Sequence, residues 1–324
     1  MHTLIATGPG RLEIGDAPIP TVGPRTMLVK TAVSAVSPGS ELRGLFEGSR
    51  FPRVGGTGYM LAGEVAQVAT DVTEFAPGDR LMGTAHEPVG PHCEFVLLIP
   101  ENAACLPQGM SFVTGACAFW GVPPYRGLLG SGVRFNDDAA VVGLGPLGQC
   151  AVQLLRPLTR RLAAFDLVPM RCELALGFGA DLAASPADGD AFEAVRALMP
   201  HGPAVVVELS GSQAGLELAI RLCAPRGTVV QVGVLPRLNN FELFRPMQDK
   251  GVRFVPIHRT ADDIKDRVAD QNGRFMADVV DMIQRGRLNV DRLATWVAPW
   301  TEGPVLIPRL RDARDQAIGV ALTW

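Results

Sequence analysis

In the stretch Gly63-Glu64-Val65-Ala66-Gln67-Val68 apolar and polar residues alternate, the period-two pattern of a strand with one face buried and the other wet. Two other short runs, Met27-Leu28-Val29-Lys30-Thr31-Ala32-Val33 and Cys93-Glu94-Phe95-Val96-Leu97-Leu98, fall between turns rich in Gly and Pro. Pro77-Gly78-Asp79 is a tight-turn signal ahead of a further run, Arg80-Leu81-Met82; Pro presets one turn dihedral and Gly tolerates the other. Strands recur and helical periodicity is scarce up to about residue 120, which predicts a β-rich, barrel-like domain.

From about 121 to 260 the pattern becomes an alternation of strand and helix. Residues 138–142, 162–166, 204–209 and 228–232 are near-continuous apolar runs, as expected of strands covered on both faces in a parallel sheet. Helical segments are predicted between them at 146–155, at 171–178 with Gly179 as a stop, and at 213–222. This is the doubly wound α/β pattern. After about 260 a helix near 278–284, stopped by Gly286, and further short segments form a tail too short for a domain of its own. The tail is expected to return and complete the first domain.

The junction of the first α/β strand and helix reads Gly143-Leu144-Gly145-Pro146-Leu147-Gly148. This G-x-G-x-x-G pattern, alone a weak signal, here follows an apolar strand and opens a helix. Gly143 permits the tight turn, Gly145 lets backbone approach a pyrophosphate, and Gly148 lets helix and strand pack closely. Pro146 and Leu147 begin the helix whose N–H groups face the phosphates. Asp166, 18 residues past Gly148, ends the next strand, about where an acidic group binds the adenosine ribose hydroxyls. Its carboxylate would repel a 2′-phosphate, so NAD(H) is expected over NADP(H). Arg171 is read first as a solvent-exposed helix residue, and second as a cation near the cofactor that blunts that preference.

Composition narrows the class. Of 324 residues 47% are hydrophobic and 19% charged, enough for large cores and against disorder. The net charge of −3 and the lack of a basic tract give no basis for a nucleic-acid partner. No run approaches the roughly 18 apolar residues of a membrane span, and no basic-then-apolar leader opens the chain. A soluble cytoplasmic protein acting on a small molecule is expected. Six scattered cysteines, none in a C-x-x-C pair, read as reduced thiols.

Taken together, these parts resemble the medium-chain dehydrogenase/reductase superfamily along essentially the whole chain. Gly63-Glu64-Val65 followed by Phe75-Ala76-Pro77-Gly78-Asp79-Arg80-Leu81 looks like its G-x-V…F-x-x-G-D-R-V stretch. Glu208-Leu209-Ser210-Gly211 looks like the segment after the fourth Rossmann strand, and Gly227-Thr228-Val229-Val230-Gln231-Val232-Gly233 like the segment beside the nicotinamide. Ser210 and Gly233 thereby become candidate cofactor contacts. The resemblance implies a GroES-like β-barrel catalytic domain at 1–120, completed by 261–324, a Rossmann domain with a doubly wound parallel sheet at 121–260, and a homodimer joined by the strand at 252–257. Val36-Ser37-Pro38-Gly39-Ser40-Glu41-Leu42 and Gly58-Tyr59-Met60 resemble a branch that includes bacteriochlorophyllide dehydrogenases.

Zinc-dependent members carry C-G-[ST]-D where this chain has Pro38-Gly39-Ser40-Glu41, and G-H-E where it has Gly58-Tyr59-Met60. Pro and Met offer none of the thiolate, imidazole or carboxylate donors zinc prefers, and a four-Cys structural zinc lobe is missing. A zinc-free mechanism is expected, with hydroxyl groups stabilising the developing alkoxide or enolate. Ser40 keeps the family's hydroxyl position and Tyr59 occupies that of the lost His, so both are candidate proton-transfer residues. The plainer readings are a turn or cap hydroxyl for Ser40 and a packed ring with a solvated OH for Tyr59. Glu41 reads equally as a partner to a nearby cation or a solvated carboxylate. His86 and His92 are lesser candidates, Cys117 reads as core, Trp120 and Tyr125 as packing, and His258 is unassigned. The expected reaction is NAD(H)-dependent interconversion of an alcohol and a carbonyl on a biosynthetic intermediate. The alternatives are reduction of an activated C=C bond, as in quinone and enoyl reductases, and cofactor binding without catalysis.

Overall fold

The computed structural model describes residues 1–86, 89–189, 191–257 and 272–324. Along the first part run β1 (His2–Gly8), β2 (Arg11–Asp16), β3 (Met27–Ala35), helix α1 (Pro38–Glu47), β4 (Arg53–Val54), β5 (Met60–Val68), β6 (Arg80–Thr84), β7 (Phe95–Leu98), β8 (Ala103–Cys105) and helix α2 (Phe112–Ala118). The predicted strands are present, and β5 is longer than the alternating stretch that announced it. The scarcity of helix in this half is corrected. Helix α1 forms because Ser37 and Pro38 stand at its N-cap and first position, and because Leu42, Leu45 and Phe46 lie on one face against a core that includes Leu4, Val36 and Leu322. In α2, Ser111 caps the N-terminus by accepting the Thr114 amide at 3.0 Å.

Next come α3 (Val122–Ser131), β9 (Asp137–Val142), α4 (Pro146–Leu155), β10 (Thr159–Phe165), α5 (Pro169–Gly177), β11 (Leu182–Ala184), α6 (Ala191–Leu198), β12 (Val205–Glu208), α7 (Gln213–Leu222), β13 (Thr228–Gln231) and β14 (Arg253–Pro256). The six strands form one parallel sheet in the order β11-β10-β9-β12-β13-β14. Strand order reverses between β9 and β12, the switch point where ligands of doubly wound sheets bind beyond the strand carboxyl ends. The apolar runs of β9, β10, β12 and β13 are buried because helices cover the sheet; Ala140, Phe165, Val206, Leu216, Ile220 and Val229 pack in one cluster.

The tail contributes a helix at Asn272–Gln284, longer at its start than the predicted 278–284, then β15 (Trp296–Pro299), a helix at Gly303–Arg309 and β16 (Val320–Thr323). Strand β16 pairs antiparallel with β3 and parallel with β15, so the last residues join the first sheet, β15-β16-β3-β5-β6-β8 with β7 beside β3. The structure divides into two units, Met1–Val122 with 263–286 and Val290–Trp324, and Pro123–Asp262 with Arg287–Asn289. The residues 258–271 in these spans, His258 among them, lie outside the described residues. All six cysteines are free. No helix among the described residues is long and apolar enough to cross a membrane.

Candidate functional site

The predicted site residues fall into two groups, one in each unit. In the second unit, β9 ends at Val142 and the chain turns through Gly143 at φ +92°, where a side chain would be strained and would meet the Ser210 amide. Gly148 lies so close to the Gly143 carbonyl oxygen that a Cβ cannot be placed there, which lets α4 pack tightly against the end of β9. Gly145 is the N-cap of α4 and makes no side-chain cap; Pro146 follows at the first position. The first-turn N–H groups at Leu147 and Gly148 therefore point out of the helix end uncapped, with the positive end of the helix dipole behind them. A Cβ on Gly145 would meet no protein atom within 4 Å. An open, backbone-lined cradle at a helix N-terminus suits the diphosphate of a dinucleotide.

Asp166 closes the far side of this loop. Its Oδ2 accepts the Leu144 amide at 2.7 Å and its Oδ1 the Val168 amide at 2.9 Å. The carboxylate thus holds the glycine loop to the end of β10 and keeps lone pairs for a ligand hydroxyl. Arg171 Nη1 lies 3.7 Å from Asp166 Oδ2, and its side chain is only 15% exposed. The expectation of a solvent-exposed Arg171 is corrected: the guanidinium is drawn to the carboxylate, and its charge offsets part of that of Asp166.

At the ends of β12 and β13 the buried Glu208 organises the neighbouring loops. Its Oε1 accepts the Ser210 amide at 2.7 Å and the Ser210 hydroxyl, and its Oε2 accepts Gln231 Nε2 at 2.6 Å. Burial pushes the Glu208 carboxyl group up, against these bonds, which favour the charged form. Gly233 packs with no room for a side chain against the Gly211 backbone. Ser210 and Gly233 accordingly sit together at the carboxyl edge of the parallel sheet.

In the first unit, Ser40 and Tyr59 come together with a residue no motif singled out. The Ser37 hydroxyl is 2.8 Å from Ser40 Oγ and accepts the Tyr59 hydroxyl at 3.0 Å, while Ser40 Oγ and Tyr59 Oη are 3.5 Å apart. Ser40 is neither a cap nor an isolated turn hydroxyl, and the Tyr59 hydroxyl is engaged by protein; its ring meets Phe119 edge-on at 5.4 Å. The solvated reading of Glu41 is corrected as well. Glu41 is 1% exposed; its Oε1 lies 2.7 Å from His92 Nε2 and its Oε2 accepts the Ser37 amide at 3.2 Å. His92 is fully buried, with Nδ1 2.8 Å from Ser34 Oγ, which accepts Trp324 Nε1–H at 2.8 Å. Gly58 is required here, because a Cβ on it would fall 2.5 Å from Glu41 Oε2. His86 is exposed and Cys117 and Trp120 are buried. The Ser37-Pro38 pair is itself a helix-start signal, and it was the available clue to α1 and to Ser37.

Pro38 and Met60 carry no donor suited to zinc, and Tyr59 and Ser40 present neutral hydroxyls. The carboxyl and imidazole groups nearby, Glu41 and His92, are turned to one another. Among the described residues no group of three or more His, Cys, Asp and Glu side chains is placed to hold a metal ion. Pro38, Ser40, Tyr59 and Met60 do not make up a donor set that fits a catalytic zinc.

The zinc-binding dehydrogenase family matches residues 146–272. The chain is 27% identical over 274 residues to D-guloside 3-dehydrogenase of Escherichia coli (strain K12), covering 82% of this chain and 77% of that one. Two solved structures share its fold: an alcohol dehydrogenase from E. coli CFT073 complexed with NADH, with a TM-score of 0.85 at 19% identity over 100% of this chain and 99% of that one, and a mycobacterial protein complexed with NADPH, with a TM-score of 0.83 at 21% identity over 100% of both chains. With a doubly wound parallel sheet, an open glycine cradle and a separate β-rich domain, the chain is similar to named dehydrogenases, and its residues 146–272 match the zinc-binding dehydrogenase family.

Proposed function

We propose that the chain is a zinc-independent, NAD(H)-preferring oxidoreductase that interconverts an alcohol and a carbonyl on a biosynthetic intermediate, with Ser40 and Tyr59 at the reacting oxygen. The observation that carries this reading is the hydroxyl cluster. At the positions of the zinc ligands' motif stand side chains that donate hydrogen bonds and exchange protons, bonded to one another through Ser37. The bound nicotinamide supplies the hydride acceptor or donor. The chain's own residues hold its diphosphate at Gly145 to Gly148 and its ribose at Asp166, and stabilise charge on the substrate oxygen from Ser40 and Tyr59. Ser210 and Gly233, at the same sheet edge, line the nicotinamide side in this reading, and Arg171 tempers rather than reverses the preference set by Asp166. The placement in a zinc-free branch with bacteriochlorophyllide dehydrogenases rests on Val36–Leu42 and on Tyr59 and Met60. A GroES-like catalytic domain at 1–120 with 261–324, and a Rossmann domain at 121–260, complete the proposal. A homodimer through β14 fits that strand's position at the sheet edge, where Phe254 is 40% exposed.

The test is a panel of alcohols with NAD⁺ and of ketones and enones with NADH. Turnover of alcohols and ketones is expected; turnover confined to enones would move the assignment to C=C reduction. Ser40→Ala and Tyr59→Phe are each expected to lower kcat at least about tenfold, the scale of a positioned proton-transfer group. Wild-type rates in both would remove these residues from the chemistry. Metal analysis of purified protein is expected to give far less than one zinc per chain, and a chelator to leave the rate unchanged; stoichiometric zinc would overturn the metal-free mechanism. Fluorescence titration is expected to give tighter binding of NADH than of NADPH, and the reverse order would defeat the Asp166 argument.

A further inference from the structure

Ser37 stands at the N-cap of α1, where a serine hydroxyl ordinarily accepts an amide of the first turn. It makes no such bond. Its Oγ lies instead within hydrogen-bond distance of both Ser40 and Tyr59, at 2.8 and 3.0 Å. The 3.5 Å between those two is outside the range of about 2.5–3.0 Å for an O–H···O bond. The continuous path between them therefore runs through Ser37. We propose that Ser37 is a proton-relay residue that couples Tyr59 to Ser40, held in register through its amide by the buried Glu41–His92 pair. The proposal rests on the alcohol–carbonyl reading above.

The bonding behind Ser37 decides which groups relay and which position. Trp324 Nε1 is a donor only, so Ser34 Oγ accepts there, and the same oxygen lies 2.8 Å from His92 Nδ1. The other ring nitrogen, Nε2, faces Glu41 Oε1 at 2.7 Å, so the imidazole is held from both sides. Glu41 Oε2 takes the Ser37 N–H at 3.2 Å, reaching back to the N-cap amide from the fourth helical position. This arm is satisfied without the Ser37 hydroxyl and meets Ser37 only at an amide, which does not pass a proton on. Glu41 and His92 are thus positioning residues, and the hydroxyl is free for the relay.

In the oxidative direction the carbinol C–H bond breaks and its hydride, with both electrons, leaves to the nicotinamide. The substrate O–H proton passes to the hydroxyl at one end of the relay. Each hydroxyl releases its own proton as it receives one, and the last gives a proton to bulk water. Alcohol and NAD⁺ become carbonyl, NADH and H⁺, with no residue left charged. Carbonyl reduction runs the same steps backwards.

The test compares Ser37→Ala and Ser37→Thr with Ser40→Ala and Tyr59→Phe on the best substrate of the panel. Ser37→Ala is expected to lower kcat at least about tenfold, with KM and the NADH dissociation constant within about twofold of wild type. Ser37→Thr, which keeps the hydroxyl, is expected to recover most of the rate. Because Ser37 does not cap α1, Ser37→Ala is expected to leave Tm nearly unchanged, whereas Ser111→Ala, which removes a true cap, lowers it. A wild-type kcat in Ser37→Ala, with Ser40→Ala and Tyr59→Phe impaired, overturns the relay and leaves the proposed function standing. A Ser37→Ala chain that unfolds, or a Ser37→Thr chain as slow as Ser37→Ala, overturns it too, since the role would then be structural. Wild-type rates in all four, or no turnover of any panel member by the wild type, overturn the underlying reading.

Discussion

Replacing Gly148 with valine is expected to abolish measurable NADH binding and to lower the melting temperature. The Gly143 carbonyl oxygen occupies the place a Cβ would need, so α4 must move away from the end of β9. Such overpacking typically costs about 1–3 kcal/mol. In the proposed binding mode the shift also drags the first-turn N–H groups off the diphosphate, and displacements of about 1 Å in a positioned site can cost about a hundredfold. Gly145→Ala separates the two effects. Residue 145 has φ −65° and ψ −170°, open to any L-residue, and no protein atom lies within 4 Å of its Cβ position. Gly145→Ala is therefore expected to keep the melting temperature while weakening NADH, because the added methyl enters the cradle. NADH affinity by fluorescence and Tm by scanning calorimetry read the two variants. Unchanged NADH affinity in both would place the cofactor elsewhere.

The second large effect is expected at His92. Removing the imidazole leaves the Glu41 carboxyl group, 1% exposed, without its His92 partner. Breaking one side of a buried pair costs about 3–5 kcal/mol, which His92→Ala should show in denaturant unfolding. His86→Ala, at an exposed site, should stay within about 0.5 kcal/mol. Glu41→Ala is expected to be similarly damaging. The double variant should cost clearly less than the sum of the singles, since the second removal takes away a partner already lost. Strict additivity would mean that the two side chains do not depend on one another.

Both predictions concern contacts with very different footprints in the chain. The glycine cradle is a local device. Gly143, Gly145 and Gly148 lie within one turn of strand and helix, and the constraints on them involve the same few residues, so a motif of six positions announces it. The parallel strands were legible for a similar reason, because burial on both faces leaves continuous apolar runs. Helix α1 was not. Pro38-Gly39-Ser40 reads as a turn, and its apolar face of Leu42, Leu45 and Phe46 has meaning only once Leu4 and Leu322, from opposite ends of the chain, are beside it. Arg171 is a parallel case: five residues from Asp166, it reads as a surface cation in the sequence, and the fold turns α5 so that the two side chains meet.

What the amino-acid order determined by itself was the doubly wound unit and the glycine loop that opens its first helix. These follow from periodicity and near-neighbour sterics, which act over a few residues. Only the tertiary structure decided that Glu41 is buried rather than wet, that it meets a histidine 51 residues away, and that Ser37 joins Ser40 to Tyr59. Those bonds form between segments brought together by burial of unrelated apolar faces, and a hydrogen-bonding group carries no mark in the sequence of the distant partner that will satisfy it.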